Sequence, residues 1–436
     1  MRSSVHMRLA VVSLAGVVCM AVGCQSGGPR EGARAERVVL VSYDGVGADL
    51  AWRWIVDGVA AEPDGLAGLA RDGFSARRLR MADPTLTAVN HAVLATGRLP
   101  EATGIVSNWF RPPGGALGER TNGFNLVPEV PTLWSAARAA GLRVGSLLWP
   151  AGANGVGAEA ADFGLRWPTE PAAPAELLEL DPETAGTTGE LPSADGVAPL
   201  AWPLVFEFPS GSEPERIEAL VALVDGNPDG TPRWDTVGVR APGSGEWALY
   251  GDRDWFDVTT ELRLPDVLGE DRWGAWSKIV HLDPLRGRVT LYRGAVWRTM
   301  GWPGEFEDAL TEAIGPWPGV PDDSRLADWW LDAAAGIDLD VYLEQIERLD
   351  RWLDAAAAWV ADNEDFRLLL AYHPGPDEYQ HSSLIVDERQ WAWSPGRALA
   401  ADEGLKRVGR SVDRSVAALW SELDPEHDAL VAVSDH

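Results

Sequence analysis

The stretch "RVVLVSYDG", residues 37–45, decides the fold. From Val38 to Tyr43 it is largely apolar and rich in β-branched side chains, without polar alternation. A strand buried on both faces reads this way, and such strands belong to parallel sheets covered by helices. Asp44 and Gly45 follow at its carboxyl end, the edge at which open parallel sheets bind ligands.

Working outward, the same grammar repeats. "PDGLAGLARDG" (63–73) reads as a short helix closed by Gly73. "PTLTAVNHAVLATG" (84–97) reads as a turn and then a helix from about Thr87, closed by Gly97. "VPTLWSAARAAG" and "LRVGSLLWP" give helix, Gly stop and strand. Strands alternating with helices predict an α/β fold with a doubly wound, mostly parallel sheet.

After about residue 155 the pattern changes. A Pro-, Gly- and Ala-rich stretch reads as loop, and short runs such as "LVFEFP", "WDTVGVRA", "EWALYG", "SKIVHL" and "RVTLYRG" read as a β-rich insertion. Helical periodicity returns in "VYLEQIERLDRWLDAAAAWVAD" (341–362), followed by a strand, "FRLLLAY", and a loop, "HPGPDEYQHSSL". Another amphipathic helix spans about 401–422, and a strand in "DALVAVSDH" follows. The expected organisation is a signal segment (1–24), a tether (25–36), a first part of the α/β domain (37–155), a β-rich cap insertion (156–330) and a second part of that domain (331–436).

Composition narrows the class. The 436 residues are 46% hydrophobic, enough for a sizeable core, and the formal net charge is −29. That charge excludes an unaided nucleic-acid binder, which needs a basic surface. The 22 tryptophans read first as core filler and second as an aromatic-lined cleft. "MRSSVHMRLAVVSLAGVVCMAVGC" has Arg2 and Arg8, then an apolar run too short for a comfortable membrane span. "AVGC" resembles a bacterial lipobox, which implies lipidation of Cys24 after cleavage, and Gln25 favours the outer membrane of a Gram-negative cell. Plain secretion is the alternative. The other cysteine, Cys19, lies in the segment that would be removed, so a metal in the mature protein must be held by His and carboxylate.

Polar residues stand past predicted strand ends or at a helix start at four places: Asp44, Thr87, the pair Asp377 and His381, and the pair Asp435 and His436. Singly each is weak. An Asp after a strand is commonly a turn former, and Thr87 alone reads as a helix cap. Together, and in this order, "SYDGVGADL", "PTLTAVNHAVLATGRLPEATGIVSNWF", "PTLWSAARAAGLRVGSLLWP", "AYHPGPDEYQH" and "VAVSDH" resemble the alkaline phosphatase superfamily. The branch they look most like is the type I phosphodiesterase / nucleotide pyrophosphatase one. The resemblance covers about 37–150 and 341–436.

The resemblance implies two divalent ions, zinc by expectation, and a small phosphoester substrate. Asp44, Asp435 and His436 would hold one ion, on which Thr87 would be the nucleophile. Asp377 and His381 would hold the second. Asn108, in "TGIVSN", would donate to a phosphoryl oxygen, helped by the Thr87 backbone N–H. The family commonly has Phe-Pro-Asn-His after the Thr. Here Ala88 and Val89 depart while Asn90 and His91 remain, so the usual nucleotide specificity is not expected to carry over. His91 reads as a supporting or core residue rather than a ligand. His373 reads first as a solvated loop residue and second as one lining the site, His427 as surface and His281 as structural.

The family supplies one more His downstream of "SDH", so the sequence is expected to be part of a longer enzyme. The competing expectations are a non-catalytic binding lipoprotein with a degraded site, and a phosphomonoester or phosphonate hydrolase of the same superfamily. The Cys-x-Pro-x-Arg pattern of a sulfatase is absent, and Thr87 in place of Ser argues against a phosphoglycerate mutase.

Overall fold

A computed structural model describes residues 35–150, 160–168, 170–208, 215–257, 262–263, 272–326 and 336–436. The predicted signal segment, Cys24 and nearly all of the tether lie outside them. The chain divides into two compact units: residues up to Gly164 with Val360–Pro376 and Gly409–His436, and Leu165–Trp359 with Asp377–Val408.

The first unit carries the parallel sheet. Its strands are β1 (Val38–Tyr43), β4 (Val144–Leu147), β5 (Phe163–Leu165), β18 (Leu368–His373) and β19 (Ala429–Val433), in the order β5-β4-β18-β1-β19. A short hairpin of β2 (Trp109–Phe110) and β3 (Thr121–Asn122) lies apart from them in the topology. β1 runs parallel to both β18 and β19, and β18 parallel to β4. Val39, Leu40 and Val41 are buried, as the unbroken apolar run requires.

Register then decides what meets at the carboxyl edge. Tyr43 pairs with His373, and Ser42 with Val433. The residues just past β1 and β19 therefore emerge together. Arg37 fixes this register from the other end: its backbone N–H and its Nε and Nη2 donate to the Asp428 carboxylate at 3.0, 2.9 and 2.7 Å.

Helices α1 (Ala48–Val56), α2 (Leu66–Asp72), α3 (Thr87–Thr96), α4 (Pro100–Thr103) and α5 (Leu133–Ala139) belong to this unit. So does the second half of the long α9 (Pro395–Ser421), whereas α6 (Gly304–Ile314) belongs to the other unit. α7 (Leu339–Asn363) and α8 (Gly375–Ser383) have residues in both.

α3 begins at Thr87 and stops at Gly97, whose φ of 64° is left-handed, as the sequence predicts. α9 is stitched to the sheet and to α2. Tyr43 donates its hydroxyl hydrogen to Ser415 Oγ at 2.9 Å. Asp413 accepts the backbone N–H of Glu62 (2.7 Å) and of Leu66 (2.8 Å), the second satisfying an orphan donor at the start of α2. A Cβ on Gly409 would come 2.6 Å from the buried Trp54 ring, so α9 can pack there only as glycine.

The second unit is antiparallel. β7 (Leu200–Phe208), β8 (Glu215–Val224), β9 (Thr236–Arg240) and β10 (Ala248–Tyr250) form one sheet. β6 (Glu176–Leu180), β15 (Arg288–Arg293), β14 (Trp276–Asp283) and β11 (Trp255–Asp257) form another. β12 (Leu262–Arg263), β13 (Arg272–Gly274) and β16 (Trp297–Arg298) form a third, and β17 (Gly301–Trp302) precedes α6. Trp202, Leu204, Phe206, Val221 and Leu223 share one apolar core with Ile279 and Leu291.

The α/β class with a β-rich insertion therefore stands, with two local corrections. The stretch read as loop contains β5 and β6, too short to show a period against their Pro and Gly neighbours. "HPGPDEYQHSSL" is mostly helix: α8 follows β18 directly, with Pro376 in its first turn, where a missing N–H costs nothing. Trp54, Trp134, Trp149 and Trp317 are fully buried, the core role expected first of tryptophan.

Candidate active site

At the carboxyl edge of the first unit's sheet, three predicted ligands converge. One ligand atom from each of Asp44, Asp435 and His436 lies within 4.8 Å of the others. Asp44 follows β1 and is buried, its backbone N–H bonded to the His373 carbonyl at 3.0 Å. Tyr372, on β18, donates its hydroxyl to Asp44 Oδ2 at 2.5 Å. The other oxygen, Oδ1, stands 3.2 Å from His436 Nε2. Asp435 is fully buried. Its Oδ1 accepts the Gly45 N–H at 3.4 Å, and its Oδ2 accepts no hydrogen bond. Gly45 reaches that position in a left-handed turn, φ 69°, which a side chain would strain.

Thr87 is the first residue of α3 and is buried. The preceding residue, Leu86, offers no side-chain cap, so the first N–H groups of the helix must find acceptors elsewhere. Ala88 N–H finds one in Asn108 Oδ1 at 2.9 Å. That bond orients the Asn108 amide: with its oxygen facing a backbone donor, Nδ2 is left as the donating end. Asn90 secures the approach to the helix, accepting the Ala82 N–H at 3.0 Å.

His91 joins these parts. Its Nδ1 lies 2.8 Å from the Thr87 carbonyl and its Nε2 lies 2.9 Å from Ser42 Oγ. Nδ1 is also 3.5 Å from Asp435 Oδ2. Trp149 and Tyr372 meet the ring edge-on, each with a centroid separation of 5.1 Å. Burial pushes the imidazole pKa down, against the pull of the Asp435 charge. With both nitrogens engaged by protein groups, His91 stands as a supporting residue, as its sequence context suggests. Ser42 and Tyr372 carry no such sequence signal, since a polar residue inside a buried strand gains a role only from its neighbours across the sheet.

Asp377 and His381 sit in the second unit, one turn apart on α8. His381 Nε2 is 3.0 Å from Asp377 Oδ2, with the His381 side chain 71% exposed. Sequence reasoning passed over the residue beside them. Burial, reinforced by the Asp377 charge, pushes the Glu378 carboxyl up to about 7, with His381 acting the other way. His373 is corrected: it closes β18, is buried and stacks at 5.1 Å on Tyr43. His427 is a surface residue paired with Asp424 at 2.9 Å.

The family model for type I phosphodiesterase / nucleotide pyrophosphatase matches residues 38–182 and 253–436. The chain belongs to that family. As a type I phosphodiesterase / nucleotide pyrophosphatase family member, it is similar to curated mammalian proteins over a shorter stretch. It is 31% identical over 138 residues to ectonucleotide pyrophosphatase/phosphodiesterase family member 7 of Rattus norvegicus, covering 30% of this chain and 29% of that one. The Homo sapiens protein of that name is 34% identical over 125 residues, covering 27% and 25%. The matches thus span less than a third of these relatives.

Proposed function

We propose that the chain is a divalent-metal-dependent phosphodiesterase that works through a phosphothreonine on Thr87. The observation that carries this reading is the convergence of Asp44, Asp435 and His436, linked through His91 to the helix turn bearing Thr87. The donor set fits a divalent ion. A buried carboxylate oxygen that accepts no hydrogen bond, as Asp435 Oδ2 is, costs free energy until a cation or donor compensates it. Two carboxylates and an imidazole suit zinc, with manganese and iron next. Asp44, Asp435 and His436 would hold the ion, which when bound lowers the pKa of a coordinated hydroxyl and offsets charge on the phosphoryl oxygens.

In this reading the Thr87 Oγ attacks phosphorus in line with the leaving oxygen. The Oγ–P bond forms, the P–O bond to the leaving group breaks, and the leaving alcohol keeps the electron pair and gains a proton. Water then attacks the same phosphorus, releasing a phosphomonoester and restoring the Thr87 hydroxyl. Asn108 Nδ2 and the Thr87 N–H donate to the non-bridging oxygens. Substitution at the start of α3 also sets the phosphoryl group against the positive end of the helix dipole. Asp377 and His381 would help to hold a second divalent ion, as the family resemblance implies.

The test is hydrolysis of an aryl phosphodiester by zinc-loaded protein. Thr87→Ala should abolish turnover and leave the circular dichroism spectrum unchanged; retained turnover sinks the nucleophile assignment. Parallel assay of an aryl phosphomonoester separates the diester reading from a monoesterase. The same proposal takes Cys24 as a lipidated, extracytoplasmic anchor on the strength of residues 1–24. An intact mass without a lipid adduct would replace it with plain secretion.

A further inference from the structure

Catalysis from Thr87 demands more than the presence of a hydroxyl. The reacting oxygen must be held within a fraction of an ångström of its in-line position. Leu86, the residue before α3, offers no side-chain cap, so of the first turn's N–H groups only that of Ala88 meets a side chain, Asn108, and Asp435 Oδ2 has no hydrogen-bond donor. One side chain faces both deficits. We propose that His91, with its proton on Nδ1, is a positioning residue that sets the Thr87 turn of α3 and the Asp435 carboxylate at fixed places relative to β1. The proposal rests on the phosphodiesterase reading above and extends it to a residue outside the ligand and nucleophile set.

The tautomer follows from the partners. The Thr87 carbonyl can only accept, so Nδ1, 2.8 Å away, carries the hydrogen. Ser42 can donate, so its hydroxyl points at Nε2 from 2.9 Å and anchors the ring to β1, two residues before Asp44. The same Nδ1–H turns a positive edge toward Asp435 Oδ2 at 3.5 Å, too long for a hydrogen bond and close enough for attraction. Trp149 and Tyr372 hold the ring edge-on, and Tyr372 donates to Asp44. His91 and Tyr372 therefore steady the two carboxylates of the ion site from adjacent positions.

A merely structural histidine fills volume, and its loss lowers stability without caring which nitrogen was replaced. A positioning role does care. Asn offers an N–H near the place of Nδ1, Gln offers a group near the place of Nε2, and Phe fills the space with neither. In the full chain, zinc affinity is read by competition with a chromophoric chelator, and kcat and KM on an aryl phosphodiester. His91→Phe and His91→Gln should each lose ~10–100-fold in zinc affinity and in kcat, with KM little changed. His91→Asn should recover most of both.

Equal zinc affinity and equal kcat per folded molecule in all three variants, with only the melting temperature lowered, overturns the proposal. So does rescue by Gln rather than Asn. Should the variants fail to fold, nitrogen-15 NMR of the wild-type imidazole decides: an Nδ1–H tautomer supports the proposal and an Nε2–H tautomer overturns it. If the wild type itself turns over no phosphodiester, the enzymatic reading falls, while the zinc series and the tautomer still judge His91.

Discussion

Two acidic clusters, one in each unit, use the same side chains in opposite ways. In the loop between β8 and β9, Asp225 accepts the N–H of Asn227 (3.1 Å) and of Arg233 (3.3 Å). Asp229 accepts the Thr231 N–H at 2.9 Å and Arg233 Nη2 at 2.8 Å. Asp235 accepts from Gly226 N, Asn227 Nδ2, Arg233 Nε and Thr236 Oγ1. These carboxylates are spent on holding a loop. At the edge of the parallel sheet, Asp435 is buried more deeply and accepts only the long bond from Gly45. The comparison teaches that donor saturation, and not the number of acidic residues, separates a structural cluster from one prepared for a cation.

The largest expected effect is at the nucleophile. Thr87→Ala should lower turnover by roughly 10³-fold or more, while Asp235→Ala leaves it unchanged in the same assay. A loss with Asp235→Ala would break the division of labour between the clusters.

Next is Asp435→Asn, which should weaken zinc binding by more than the ~10–100-fold that loss of a supporting residue costs. The same change should stabilise the metal-free protein, on the order of 1 kcal/mol, because a buried charge close to the Asp44 carboxylate disappears. Asp235→Asn should instead destabilise, because it removes a well-satisfied acceptor. Opposite signs in urea unfolding with a chelator present would sharpen the contrast; equal signs would erase it.

The pair on α8, with His381 exposed and Asp377 largely covered, tests a middle case. His381→Ala should change unfolding free energy by no more than about 0.5 kcal/mol, since the side chain faces solvent. Zinc per chain should fall by one ion. An unchanged metal count would remove the pair from the ion sites.

The smallest effect is a pH dependence. Partial burial would raise the Asp235 carboxyl, yet Asn227, Gly226 and Arg233 outweigh it and bring the pKa to about 2, from 3.8. A depressed carboxylate stabilises the fold fully above its unfolded value. That stability is lost as pH falls from 3.8 to about 2. The Asp235–Arg233 pair lies in a surface loop with the Arg233 end partly exposed, so screening keeps the contribution on the order of 1 kcal/mol. Unfolding of wild type and Asp235→Asn should converge toward pH 2 and separate above pH 4.

Much of the first unit is legible in the chain because its signals are local. β1 reads as a buried strand from its largely apolar run and delivers Asp44 directly; β19 reads the same way, though only Ala429 of it is buried, and Asp435 follows it after Ser434. Gly97 closes α3 by capping chemistry alone, whereas Thr87 opens it as the first helical residue and does not cap it. β6 and α8 were hidden because their stability comes from partners distant in sequence. "ELLEL" becomes a strand through its pairing with β15. α8 is held where Tyr379 donates to the Ala401 carbonyl at 2.8 Å, and Tyr342 to the Glu378 carbonyl at 2.9 Å.

The sequence by itself determined the elements and the chemistry at their ends: a parallel-sheet strand followed by Asp44, a helix opening on Thr87, a strand followed by Asp435 and His436. Hydrophobic period and capping act within a few residues, so they can be read in one dimension. Only the tertiary structure decided which of these ends meet, which carboxylates are saturated, and that Ser42 reaches His91 and Tyr372 reaches Asp44. Those outcomes depend on strand register and on hydrogen bonds between residues tens to hundreds of positions apart, which no local pattern encodes.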